Sequence, residues 1–265
     1  MVPGGGGDAV TIQGGINLAS NGDIVTVAPG TYTGTGNINV DFLGKNITVK
    51  SDDGPYTTII DCMEQGPGFK FQNGEDGSAV LQGFTIRNAR GNRGAAIFCD
   101  GASPMISYNI ISGCYAFSMG GGIYAKNGSP YIFNNTLDNN GSPTGGAIGL
   151  ATGSSAQIFQ NIMCACSAGG AIACSGATPA TFIACNDIYS NTGGDAVCIG
   201  NAGHNFSVDP MFCGMPGTGN YYLQQISPCT QSFSPCASFV GALGVQCEVT
   251  RTQTATWGQV KSMYR

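Results

Sequence analysis

Apolar and polar residues alternate along most of the chain in short runs, and turns rich in Gly, Asn, Asp and Ser separate those runs. Alternation of period two predicts β-strands with one face buried. Five runs open alike, with a Gly or small pair before an apolar residue: GAAIF, GGGIY, GGAIG, GGAIA and GDAVC. Their anchors are Ile97, Ile123, Ile148, Ile172 and Val197, spaced 26, 25, 24 and 25, and Phe71 lies 26 before Ile97. A second series keeps step. ISYNII, IFNNTL, IFQNIM and IACNDI place Asn109, Asn135, Asn161 and Asn186 at spacings of 26, 26 and 25. Ile111, Leu137, Met163 and Ile188 follow them, and LQGFTI fits one period earlier, with Phe84 at the Asn position and Ile86 at the apolar one.

Two ladders sharing one period predict a solenoid of stacked coils. With strands about 4.8 Å apart, seven to eight coils would extend roughly 35 Å. Inward Ile, Phe and Leu then form a core that no single repeat could bury. An inward Asn at a bend can bond to the coils above and below, so the Asn series reads as structural rather than catalytic. The fold class expected is all-β: a right-handed parallel β-helix with a short N-terminal capping helix and a Cys-rich C-terminal cap. TIQGGINLAS puts Ile12, Ile16 and Ala19 on one helical face, ahead of a first strand in DIVTVAP. The expected units are 1–212 (helix and coils), 213–247 (cap) and 248–265 (a tail with the only Trp, Trp257).

Composition narrows the partners. Charged residues make up 9% of the chain and the net charge is -5, with only 10 Lys and Arg. That excludes a broad basic face for nucleic acid. No apolar run approaches the roughly 20 residues of a membrane span. Twelve Cys with one His, His204, and no CxxC pair argue for disulfides rather than zinc. The opening MVPGGGG carries no secretion signal, so a removed signal is expected. Four Cys cluster where the repeat stops. Four allow three connectivities, of which Cys229–Cys236 with Cys213–Cys247 is favoured. Cys99 and Cys174, inside the coils, read as buried thiols.

The segments TIQGGINLASNGDIVTVAPGTY, FLGKNITVKSDDGPYTTIIDC, GFTIRN, GGGIY and SPYI resemble bacterial secreted right-handed β-helix repeat proteins of the pectate-lyase-like superfamily. VDPMFCG, YYLQQISPC and GALGVQC resemble the closing segment of that group, so the likeness runs from residue 8 to 247. It implies an extracellular or cell-surface location and a carbohydrate context, without fixing a reaction. The catalytic motifs of such enzymes do not carry over. NTD, GHG and RIK elements are absent, and GHN at His204 is a poor substitute. Asp187 and Asp195 fall on different parts of adjacent coils, a weak basis for the carboxyl pair of a hydrolase.

Two corners hold the candidate residues. Asp52, Asp53, Glu75, Asp76 and Asp100 align on successive turns, where stacked carboxylates could chelate Ca2+; solvated turns are the plainer account. No other cofactor is called for. Lys126 follows one coil later, within reach of Asp100. The second corner gathers Arg87, Arg90 and Arg93, with Tyr115 and Phe117 one coil on, a combination that suits a sugar or acidic glycan; a solvated turn with locally packed rings is the alternative. Arg87 with Lys126 is the candidate pair for lyase chemistry. Two function classes follow. One is a non-catalytic structural, self-associating or glycan-binding protein, favoured by the scarcity of titratable residues. The other is a polysaccharide lyase or glycoside hydrolase acting on an extended glycan.

Overall fold

The computed structural model describes residues 8–176, 181–195, 201–214 and 219–247. The anchor Val197 and the tail 248–265 lie outside them. The described chain winds as a parallel β-helix of about eight turns. Each full coil crosses three sheets in order: a first sheet of eight strands, a second of seven and a third of six. Every pairing within these sheets is parallel, as in Met105–Ser107 on Tyr131–Phe133 or Ile97–Asp100 on Ile123–Lys126.

The anchors Ile97, Ile123, Ile148 and Ile172 stack in register along the third sheet. Phe71 is a correction: Ile97 pairs with Phe69, and Phe71 pairs with Cys99. The coil between spans 28 residues, two more than the 26 counted, so counting back 26 lands on the wrong inward position. Inward Leu81, Ile106, Ile132, Ile158 and Ile183 line the first sheet in the same way. Gly120, from the GGGIY element, has φ +69, and a Cβ there would collide with the Ile123 carbonyl. That position therefore demands glycine.

The Asn ladder occupies the corner between the first and second sheets. Asn109 donates its N–H and Nδ2 to Asn135 Oδ1 at 3.0 and 3.1 Å, and Nδ2 also reaches Leu81 O at 3.0 Å. Asn135, Asn161 and Asn186 repeat the pattern, and Asn205 adds a fifth rung. Phe84 N–H donates to Asn109 Oδ1, so the aromatic rung closes the ladder. A left-handed residue precedes each rung: Tyr108, Asn134, Gln160, Cys185 and His204, with φ between 49 and 58°. His204 is thus the corner residue of the last rung. A second ladder alternates Cys114, Asn140, Cys166 and Asn191 at the far end of the second sheet. Cys114 N–H donates to Asn140 Oδ1 and Cys166 N–H to Asn191 Oδ1, both at 3.0 Å. Burial pushes both thiols up to about 12.

The helix Ile12–Leu18 closes the N-terminal end. Thr11 caps it by accepting from Gly14 N–H at 3.1 Å, and Ile12 and Ile16 are fully buried. Lys45, one coil on, donates to the carbonyls of Ile16, Asn17 and Ala19 at 2.7–3.0 Å, where the helix dipole favours a cation.

The Cys-rich segment lies along a side of the solenoid. Residues 208–214 and 219–247 run over the outer face of the second sheet and form a second apolar cluster there, joining Ile110, Ile162 and Cys164 to Phe212, Leu223 and Val240. Tyr221 Oη donates to Asp138 Oδ2 at 2.8 Å, Ala242 N–H to Thr136 Oγ1 at 3.1 Å, and Gly241 N–H to Gln160 O at 2.8 Å. Cys213 is bonded to Cys247, as expected. Cys236 is bonded to Cys185 and not to Cys229, which is a buried free thiol. Cys185 sits at an outward corner, so a bridge there pins the segment to the coil, whereas Cys229 points into the interface and donates to Asp187 Oδ2 at 3.1 Å. Cys99 is a buried thiol, as expected, but Cys174 is disulfide-bonded. It is exposed on Ile172–Ser175, the end strand of the third sheet among the described residues.

Candidate functional site

The five acidic candidates do not form one stack. Asp52 and Asp53 follow a strand of the first sheet, while Glu75, Asp76 and Asp100 follow or end strands of the third, so they occupy different corners. Glu75 is buried and committed to Gly44 N–H at 2.9 Å and Asn73 N–H at 3.0 Å. Asp76 accepts from Ser78 N–H within its own turn. Among the described residues no group of three or more His, Cys, Asp or Glu is placed to hold a metal ion. The Ca2+ alignment failed because coil lengths differ around Gly54 and Gly74, shifting SDDG by one corner.

The basic corner is assembled in part. Arg90–Arg93 and Tyr115–Met119 are extra strands between the second and third sheets, paired with Tyr115 opposite Arg90 and Met119 opposite Arg93. The Arg90 guanidinium lies 5.4 Å from the Tyr115 ring centre and bonds Glu64 at 2.8 Å. Arg93 lies 5.6 Å from the Tyr124 ring and forms no ion pair among the described residues. Phe117 is 65% exposed and touches Tyr115 edge-on. Arg87 is not part of this group. It projects from the second sheet and donates Nε to Asp61 Oδ2 at 2.8 Å. Burial raises the Asp61 pKa, but bonds from Asn88, the Met63 N–H and Arg87 outweigh it and hold the carboxyl below its ordinary value.

Lys126 stands on the third sheet, 3.6 Å from Asp100. Arg87 and Lys126 therefore lie on separate faces and cannot share one reacting bond. Lys126 faces Arg93 instead, across a shallow groove of about 380 Å³ that also takes in Met119, Tyr124, Thr152 and Ser175. Two further hydroxyls, Ser118 and Thr144, line it, and among the described residues the carboxyl beside it is Asp100, paired with Lys126. The groove exists because the outward column of the third sheet changes size. Phe98 and Tyr124 stack at 5.5 Å, and the next two rungs are Gly149 and Ala173. Sequence reading missed Tyr124 because it belongs to the GGGIY repeat. The signal available was its outward place beside the inward Ile123.

Asp187 and Asp195 are not a catalytic pair. Asp187 lies beneath the Cys-rich segment, accepting from Val208 N–H and Cys229, and burial pushes its carboxyl up to about 7. Asp195 accepts from Asn191 and from Ser207 Oγ.

A family model described as right handed beta helix region matches residues 45–210. The chain belongs to this family. No curated protein matches it, and no solved structure does. Family membership agrees with the coil-by-coil register and says nothing of a reaction. Among the described residues of this β-helix protein no helix is long and apolar enough to cross a membrane.

Proposed function

We propose that this is a non-catalytic extracellular or cell-surface β-helix protein, of the pectate-lyase-like kind, that binds an extended acidic glycan along its third sheet. The groove lining carries the reading: Arg93, which forms no ion pair among the described residues, Lys126 beside Asp100, and four hydroxyls. Arg and Lys attract uronate or sulfate groups, hydroxyls bond to sugar hydroxyls, and the open form admits a polymer. General acid–base hydrolysis needs two carboxyls flanking the bond, which this groove lacks. The disulfides support an oxidising compartment. Arg90, Tyr115 and Phe117 extend the surface at one end, and the Phe117 ring is a stacking face for a sugar.

Affinity electrophoresis against acidic and neutral polysaccharides, with and without Ca2+, tests the reading. The wild type should be retarded by an acidic polymer, less so as salt rises. Arg93→Ala with Lys126→Ala should weaken binding about tenfold, roughly 1.4 kcal/mol. Unchanged retardation removes the groove from consideration. Bond cleavage by the wild type, lost in Lys126→Ala, would instead establish a lyase.

A further inference from the structure

A second recess lies on another face, where the Cys-rich segment meets the second sheet. It holds about 250 Å³ and is lined by Tyr56, Arg87, Asn88, Ser112, Asn139 and Tyr221, with Asp138 at its floor. We propose that this cleft binds a single neutral pyranose ring, as a free sugar or as the end of a glycan.

Three observations lead there. The first is shape. The volume is below the range of roughly 300–1,000 Å³ usual for drug-sized ligands, which suits one ring and not a threaded polymer. Tyr221 forms a fixed wall, because its hydroxyl donates to the fully buried Asp138 at 2.8 Å. The second is unused bonding capacity. Arg87 uses only Nε on Asp61, and Asn88 uses only Nδ2, on the same carboxyl at 3.0 Å. Among the described residues the terminal nitrogens of Arg87, Oδ1 of Asn88 and the side-chain amide of Asn139 have no protein partner. The cleft thus offers both donors and acceptors, as sugar hydroxyls require. The third is charge and ring placement. Arg87 is already neutralised by Asp61, and Asp138 adds a carboxyl, so the cleft holds no surplus cation for an acidic sugar. Tyr56 is 50% exposed and braced by the Tyr222 ring 5.5 Å away, leaving an aromatic surface for the C–H face of a pyranose.

Saturation-transfer NMR and titration on the full chain would use methyl glycosides of neutral hexoses and of an N-acetylhexosamine, a hexuronate, and a neutral oligosaccharide. At least one neutral glycoside should bind, with the hexuronate weaker. Tyr56→Ala and Arg87→Gln should each weaken binding at least tenfold, and Tyr56→Phe should retain it. Melting curves show whether each variant is folded, and the exposed Tyr56 provides a variant that leaves the core untouched. Tighter binding of the oligosaccharide identifies a glycan end, and equal binding identifies a free sugar; both support the site. No binding by any neutral probe, preference for the hexuronate, or full affinity in Tyr56→Ala overturns it. So does loss of binding in the Arg93→Ala, Lys126→Ala protein, which would move the sugar to the groove on the third sheet.

Discussion

In the coils between Leu81 and Ile188, a buried position is filled by much the same residue type as the positions above and below it. Ile stacks on Ile, and Asn bonds to Asn. In the segment that lies along them nothing repeats: Tyr221 meets Asp138, Cys229 meets Asp187, Ala242 meets Thr136, and a disulfide joins Cys236 to Cys185. The coils are stabilised by a motif used many times, so one lost rung also weakens its neighbours. The segment rests on single contacts, each of which can be removed alone.

The largest effect is expected in the ladder. Asn161 Nδ2 donates to Ile132 O, Phe159 O and Asn186 Oδ1, and its Oδ1 accepts from Asn135. Asn161→Leu strands these partners in the core and should cost about 4 kcal/mol in denaturant unfolding. A loss no greater than that of a surface substitution would show that the ladder is ornamental. Next, Cys185→Ser with Cys236→Ser opens a loop of sequence separation 51, for about 3 kcal/mol. Limited proteolysis should then cut within 219–247 while the coils stay resistant. Simultaneous digestion of both would abolish the distinction drawn between them.

The segment should also answer to pH. The folded-state pKa of Asp187 is raised to about 7, with Asp209 and Asp195 adding to the effect of burial. Its favourable share is full below the ordinary carboxyl pKa and is lost as pH rises from about 4 towards 7. Asp187→Asn should flatten that part of the stability profile; an unchanged slope would place the titration elsewhere. Asp61 acts oppositely: its lowered pKa contributes stability that is lost as pH falls below the carboxyl range. Smallest of all, Arg90→Ala with Arg93→Ala should shift stability by under about 0.5 kcal/mol, because both lie in strands outside the core.

The coils were legible because stacking forces equivalent residues into one period. The Asn rungs and the Phe84 substitution follow from that rule, and the helix Ile12–Leu18 from its own apolar face. The course of the Cys-rich segment was not legible, since its contacts are unique. One trace of it was present: Ile110–Ile111 and Ile162–Met163 are adjacent apolar pairs, and in a strand neighbours face opposite ways. Both faces are buried there because a second layer covers the outside. The acidic alignment failed for the converse reason, as turn lengths vary where no ladder fixes them. Of the basic residues, Arg90 lies over Tyr115 and Arg93 over Tyr124, on the paired strands Arg90–Arg93 and Tyr115–Met119. Arg87 was separated from them because the strand Thr85–Arg87 ends before the corner.

A stack of coils with nearest-neighbour contacts alone would peel from its last turn, one coil at a time, under heat or tension. The Tyr222 ring reaches Tyr56 near one end, and Cys236 holds Cys185 near the other. Fraying at the C-terminal edge must therefore drag on the middle turns before it can proceed. The segment acts as a tie-rod, and a pulling force applied along the axis is shared by many coils instead of opening the end one first.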